Sequence, residues 1–319
     1  MEGVRPPFSA GSLGLGGPVN RRRYLLVTAD DYGIGPATSR GILDLAVAGR
    51  VTSSVLLVTA PYAEAAVVAW RRAGQPFELG WHPCLTLDRP VAPVGQVPTL
   101  VRADGTFWPL GSFLRRLFLG QVRAREIEIE LKTQYRRFHD LLGFAPTVIN
   151  SHHHVQIFKP VGAILRQLLS QQRPLPYLRR VRERGRTLLR VPGARLKRAF
   201  LGTLGRRESR RQALAGFPGN DSLGGITNPE CVADPYFLAR WLKEIPGYSV
   251  ELTCHPGYLD STLIGRDCAA GDPQLERRVY EFNLLRNPGF VECFQRAGFT
   301  LAAPSEIASH LRTASTQAA

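Results

Sequence analysis

The chain has 319 residues, 44% of them hydrophobic, and a formal net charge of +15. That composition supports one large core, and no apolar run approaches the ~20 residues that a membrane-spanning helix needs. Five cysteines stand apart, at 84, 231, 254, 268 and 293; an odd number without a C-x-x-C pair fits reduced thiols in a cytoplasmic protein rather than a disulfide framework.

In chain order, residues 1–22 are rich in Gly, Pro and Ser and lack the charged start and apolar block of a secretory signal. They read as a disordered tail before a single domain over 23–311, with a C-terminal tail at 312–319. Tyr24–Ala29 predicts a buried strand. Gly35-Pro36 opens a helix to about Ala48, with Pro in the first turn where its missing N–H costs nothing. Val51–Thr59 is β-branched and predicts a strand, 61–73 a helix stopped by Gly74, and Phe77–Trp81 a third strand. Residues 83–120 form a long excursion punctuated by Pro and Gly, with Trp108 and Phe113 as wall residues. Ile127, Leu131, Tyr135, Phe138 and Leu142 recur at helical spacing, so 125–142 is an amphipathic helix that Gly143 ends. A strand at 146–150, a helix at 159–171, a basic segment, a loop at 220–225, a helix at 234–243, a strand at 248–254, a helix at 273–285 and a short strand at 299–302 complete the order. Alternating strands and helices argue for parallel strands with helices outside.

Residue types that bind metals and move protons stand at strand ends four times: Asp30-Asp31, His82, His152-His153-His154 and His255. In a β/α protein those ends converge on one face. The Asp pair alone reads as well as a turn or helix cap before Gly35-Pro36. Neighbouring residues of a strand point to opposite sides, yet a turn at the strand end lets both reach one site. A histidine triplet offers imidazoles in several directions, so at least one faces the cleft. An Asp with two His is a common facial set for a divalent ion that keeps positions open for water and substrate. A further His outside that set can protonate a leaving group. Five of the seven histidines lie at these ends, which points to a metal-dependent hydrolase.

The charge is uneven. Between Arg173 and Arg211 stand 14 basic residues and two acids, a net +12, leaving +3 for the rest. The segment reads as a solvated basic lid or surface helix, with an anion site as the competing reading.

The segments Val27–Gly33, Val51-Thr52-Ser53, Gly80-Trp81-His82, Ser151–Val155 and Cys254–Tyr258 together resemble the YdjC family of carbohydrate deacetylases, which includes chitooligosaccharide deacetylases and a hopanoid-associated group. The resemblance runs over about residues 24–310 in the same order. It implies a distorted (β/α) barrel related to polysaccharide deacetylases, and hydrolysis of an N-acetyl group on an amino sugar. It implies Asp31, His82 and His152 as ligands of one divalent ion, Asp30 as base and His255 as acid. Three positions depart from the family pattern: Gln156 replaces a common His, Pro83 an apolar residue and Tyr32 a common Phe. Gln156 and Pro83 are therefore expected near the pocket, and His154, Tyr32, Gln156 and Trp108 are expected to contact the sugar. Mixed oxygen and nitrogen ligation suits Mg²⁺ or Zn²⁺, with Mn²⁺ or Co²⁺ as alternatives. The expected partner is an N-acetylated sugar, not nucleic acid, and a homodimer is left open. Two rival readings are a metal phosphoesterase or other esterase on the same scaffold, and a non-enzymatic protein that binds anions or nucleic acid through the basic segment.

Overall fold

A computed structural model describes residues 22–317, and the side chains of 22–310. Residues 1–21, where the N-terminal tail is expected, lie outside the described part. Eight strands, β1 (Arg23–Tyr32), β2 (Ser53–Leu56), β3 (Glu78–Trp81), β4 (Val148–Ile149), β5 (Tyr177–Leu178), β6 (Ser222–Gly224), β7 (Ser249–Cys254) and β8 (Phe299–Leu301), form one sheet. All pairings are parallel, in the order β5-β4-β3-β2-β1-β7-β6, with β8 on the first three residues of β1. The sheet curls into a distorted α/β barrel, as expected.

The curl is completed without a ladder between β5 and β6. Instead the Leu178 amide donates to the Pro218 carbonyl (2.9 Å) and the Leu223 amide to the Arg182 carbonyl (2.8 Å). Between them the Asn220 amide side chain takes the place of a backbone strand: its Oδ1 accepts from the Arg180 N–H (2.8 Å) and its Nδ2 donates to the Arg180 carbonyl (2.9 Å).

Helices cover the outside of the sheet. Pro36–Val47 starts at its proline and buries Ile42, Leu45 and Ala46. Helix Ala124–Leu142 ends at Gly143 in the left-handed conformation (φ 83°). It buries the expected apolar face and also a polar stripe four residues apart. Glu126 accepts from the Thr99 amide and hydroxyl, Glu130 from the Val91 and Ala92 amides, and Gln134 brackets Cys84 at both N and O. Buried backbone groups need partners, and this stripe supplies them for the 83–109 excursion.

Several local expectations are corrected. The excursion contains helix Leu110–Phe118, the expected loop at 220–225 contains β6, and the basic segment contains β5 and helix Arg195–Leu214. A helix at Gly289–Arg296 was not foreseen, and the last helix, Pro304–Gln317, crosses the boundary at 312 where a tail was expected. Two-residue strands such as β4 and β5 are too short to show a period of two. No helix among the described residues is long and apolar enough to cross a membrane.

Candidate active site

The C-terminal ends of the strands open into a cleft of about 430 Å³. Asp30, Asp31, His82, His152, His153, His154, Thr253 and His255 all line it. The strand-end residues therefore meet, and the backbone shows how the Asp pair does so. Asp31 has φ +66°, and the β1–β2 register shifts between Ala29 and Tyr32. A left-handed residue in a strand reverses the alternation, so adjacent carboxylates turn to one side. A non-glycine residue held there costs roughly 1–3 kcal/mol, which the surrounding contacts must offset. Gly33 (φ +88°) continues the turn; a Cβ there would lie 3.2 Å from Ala63 Cα.

Asp31 Oδ1 lies 3.0 Å from His152 Nδ1 and 3.4 Å from His82 Nε2. Its other oxygen takes a 2.8 Å ion pair from Arg278, which also reaches Asp267 at 3.1 Å. Burial would raise the Asp31 pKa, but His152 and Arg278 outweigh it and hold the carboxyl well below its ordinary range. His82 Nδ1 lies 2.8 Å from the Asn150 carbonyl, which can only accept. That fixes the proton on Nδ1 and leaves the Nε2 lone pair facing Asp31, the arrangement common behind metal-bound histidines. His152 Nε2 is buried and has no partner. One donor atom from each of Asp31, His82 and His152 lies within 4.8 Å of the others. The donor set, the fixed tautomer and the orphaned nitrogen all fit a divalent ion.

Asp30 is built for a different task. Arg179 Nη1 and Nη2 meet its two oxygens at 2.6 and 2.8 Å. Thr253 donates to Oδ2 at 2.9 Å, and Asn150 Nδ2 stands 3.4 Å from Oδ1. Burial opposes ionisation here too, but Arg179, with lesser help from His82 and His255, keeps Asp30 charged far below the ordinary range. Arg179 is fully buried and also pairs with Glu251 at 2.7 Å, so a chain of charges runs through the barrel interior.

His255 follows β7 with its Nε2 4.0 Å from Asp30 Oδ2. Its backbone N–H donates to Glu281, whose carboxylate also lies 3.9 Å from Nδ1. Burial lowers its pKa against the opposing pull of Asp31 and Glu281. His153 and His154 are left-handed (φ 54° and 56°), which splays the triplet. His152 turns to Asp31, His153 Nδ1 lies 2.9 Å from the Thr86 hydroxyl, and His154 lines the cleft with Nδ1 unpaired.

Three of the four residues expected to contact the sugar stand elsewhere. Tyr32 is fully buried, its ring against Phe77 and its hydroxyl donating to the Ala66 carbonyl at 2.8 Å. Gln156 is buried behind the triplet, away from the cleft lining. Trp108 lies under Arg116, whose guanidinium carbon is 4.5 Å from the ring centre. Pro83 is buried as well, its carbonyl accepting the His152 amide at 2.9 Å. The apolar wall is Leu110, Leu114, Phe158, Phe200, Leu201 and Ile226, and Lys197, Arg277 and Arg278 supply positive charge. Arg179, Arg278 and Glu281 escaped the sequence reading. Arg179 follows only two strand residues, and the other two lie on helix Pro273–Arg286 with no motif of their own.

The model of the family described as YdjC-like protein matches residues 24–296. The carbohydrate deacetylase of Mus musculus is 31% identical over 305 residues, covering 90% of this chain and 96% of that protein. The chitooligosaccharide deacetylase of Serratia marcescens is 29% identical over 284 residues, covering 88% and 97%. The carbohydrate deacetylase of Geobacillus stearothermophilus is 30% identical over 286 residues, covering 88% and 96%. Among solved structures, an Enterococcus faecalis V583 protein described as a cellobiose-phosphate cleavage protein superposes with a TM-score of 0.69. It is 23% identical and the match covers 90% of this chain and 99% of that one, a likeness of fold.

Proposed function

Because the chain belongs to the YdjC-like protein family, we propose that it is a carbohydrate deacetylase that hydrolyses the N-acetyl group of an amino sugar and releases acetate. The observation that carries this is the division of labour between adjacent carboxylates in one cleft. Asp31 faces His82 Nε2 and His152 Nδ1, and Asp30 faces His255 from an arginine cradle.

Asp31, His82 and His152 would hold one divalent ion. When bound, it supplies a Lewis acid for the acetyl carbonyl and lowers the pKa of water beside it. Two imidazoles and one carboxylate suit Zn²⁺ better than Mg²⁺, which prefers an all-oxygen set. Arg278 occupies the second Asp31 oxygen and leaves Oδ1 to face the two imidazoles. Asp30 takes the proton of the attacking water, and Arg179 and Thr253 hold its carboxylate in place while it does so. His255 protonates the departing amine, the step that makes amide cleavage productive. The cleft wall at Leu110, Leu114 and Phe158 offers apolar surface to a sugar ring and its acetyl methyl.

A second reading of the proton path rests on one observation. Each Asp30 oxygen already faces two donors, so the carboxylate has little capacity left to accept from water. His255, whose lowered pKa keeps it neutral at pH 7, then takes the water proton itself and returns it to the amine, with Asp30 orienting the ring.

The test is acetate release from N-acetylated mono-, di- and oligosaccharides by chelated enzyme resupplied with Zn²⁺, Mn²⁺, Co²⁺ or Mg²⁺. Release with one of these ions and not in Asp31→Asn supports the reading. Phosphate release from sugar phosphates without any acetate release would point to the phosphoesterase alternative instead.

A further inference from the structure

Helix Arg195–Leu214 has its polarity reversed. Its inward face carries Arg198, Gly202, Gly205, Glu208, Ser209 and Gln212 beside a single leucine, Leu201, all buried. Its outward side carries Leu196, Phe200 and Leu214, which are 90%, 50% and 78% exposed. A surface helix of a globular protein ordinarily turns its apolar stripe inward and its polar residues to water. Most of the inward polar groups are paired, and Gln212 Oε1 is buried without a hydrogen-bond partner. Arg198 pairs with Glu183 and donates to the Val191 carbonyl, Glu208 pairs with Arg166, and Gly205 lets the helix approach Val181, whose carbonyl would lie 1.8 Å from a Cβ there. The outward leucines and phenylalanine serve no contact that the fold requires.

Basic residues stand among them. At 3.6 residues per turn, positions 196, 200, 207, 210, 211 and 214 share one side of a helix ~30 Å long. Arg207, Arg210 and Arg211 are exposed, and the first two have no carboxylate partner among the described residues. Arg195 and Lys197 likewise lack one, and Arg195 donates to the Leu189 carbonyl at 3.1 Å, beside a leucine side chain that is 74% exposed. Lys197 and Phe200 line the cleft, so this face ends at its mouth. Phe118 and Leu119, 68% and 64% exposed, stand on and just beyond helix Leu110–Phe118, which lends Leu110 and Leu114 to the cleft wall. The Phe118 ring packs edge-on against Phe158 of the cleft wall at 5.7 Å.

We propose that this face, from Leu189 through helix Arg195–Leu214 together with Phe118 and Leu119, docks on an anionic lipid bilayer and brings the mouth of the cleft to the membrane surface. A headgroup layer is the partner that accepts both components. Apolar side chains enter the boundary with the acyl chains, while guanidinium groups stay with the phosphates. Uncompensated arginines gain from the negative surface potential of such a bilayer. Single-stranded nucleic acid would use the arginines and stack its bases on aromatic rings, but four of the six exposed apolar residues here (Leu189, Leu196, Leu214, Leu119) are aliphatic and offer no such platform.

The experiment is flotation of the full chain with vesicles of phosphatidylcholine alone, or with phosphatidylglycerol as roughly a third of the lipid, at ~0.1 M salt. The wild type is expected to float with the anionic vesicles and not with the neutral ones. The Phe118→Ser/Leu196→Ser/Leu214→Ser variant should lose about tenfold or more in partitioning, and Arg207→Gln/Arg210→Gln a comparable factor. A Leu196→Trp variant should shift its emission to the blue when anionic vesicles are added. Folding of each variant is checked by its thermal transition, and the Trp reporter keeps the test valid if the triple variant does not fold. Three results would each overturn the proposal: no flotation of the wild type, a dimer that the triple serine variant converts to monomer, or tighter binding to an RNA oligonucleotide that the serine variant retains.

Discussion

Arg179 holds both oxygens of Asp30, with its two terminal nitrogens at 2.6 and 2.8 Å, and both side chains are buried. A buried ion pair repays its desolvation only through geometry of this kind, and removing one partner strands the other at a cost of about 3–5 kcal/mol. Arg179→Gln should therefore melt well below the wild type and lose activity, because Glu251 is stranded along with Asp30. Arg179→Gln/Asp30→Asn should regain part of the stability and none of the activity. A single variant that melts with the wild type would sink the cradle.

The same pair sets an acid limit. Asp30 and Asp31 both titrate below the ordinary carboxyl range, so the stability they contribute is whole above ~pH 4 and drains as pH falls through their lowered native values. Denaturant titrations across that window should show a shallower acid loss in Asp30→Asn than in the wild type. Parallel curves in the two proteins would contradict the assignment.

Ion binding separates the two carboxylates. Asp31→Asn, His82→Ala and His152→Ala should each lose the bound ion in elemental analysis, while Asp30→Asn retains it. Asn150 serves the ion ligands only through its backbone carbonyl at His82, its side chain standing by Asp30, so Asn150→Ala should keep the ion too. Should Asp30→Asn shed the ion and Asp31→Asn keep it, the roles are reversed.

The proton path is legible in the pH profile. Asp30→Asn and His255→Ala should each lower kcat by ~10²–10⁴-fold. Burial lowers the His255 pKa, so a step that needs neutral His255 stays active to pH values below ~6.5 before its acid limb appears. That limb should vanish in His255→Ala and persist, displaced downward in rate, in Asp30→Asn. An acid limb unchanged by the His255 substitution would remove His255 as the base and leave that role to Asp30.

Substrate contact is the fifth test. Tyr32→Phe should cost about 1 kcal/mol of stability through the lost bond to Ala66 and leave KM unchanged. Leu114→Ala and Phe158→Ala, which reshape the cleft wall, should raise KM for N-acetylated sugars. Equal KM effects from Tyr32→Phe and Leu114→Ala would mean that the cleft is not where the sugar binds.

The strand-end clustering of Asp30, Asp31, His82, His152 and His255 was legible because each follows an apolar run, and parallel strands carry their ends to one face. The turn that makes the Asp pair act together was not. A left-handed aspartate has no signature in a sequence that alternates through it. Arg179 was hidden for a related reason, since it follows a two-residue strand inside a segment whose many arginines suggest a wet surface. In fact Arg179 and Arg198 of that segment are buried and paired, whereas Arg207 and Arg210 fit the solvated reading. Tyr32 and Gln156 stand beside motifs in the sequence, which draws them toward the cleft in a sequence reading, and Trp108 is drawn there as a wall residue of the 83–120 excursion. A residue two places from a ligand lies on the other side of a turn as readily as on the same one.

The amide of Asn220 clasps the backbone of Arg180 across 40 positions of sequence, so everything between them departs from one point of the barrel and returns to it. The intervening stretch works as a cassette. Its helices can be lengthened, recharged or exchanged for those of a relative while the clasp keeps Arg179, one residue upstream, on Asp30. The ion ligands and Asp30 thus lie outside the 181–219 stretch, which lends only Lys197, Phe200 and Leu201 to the cleft, and grafting that stretch between relatives would change the outer face and this part of the wall while leaving the acid and base groups in place.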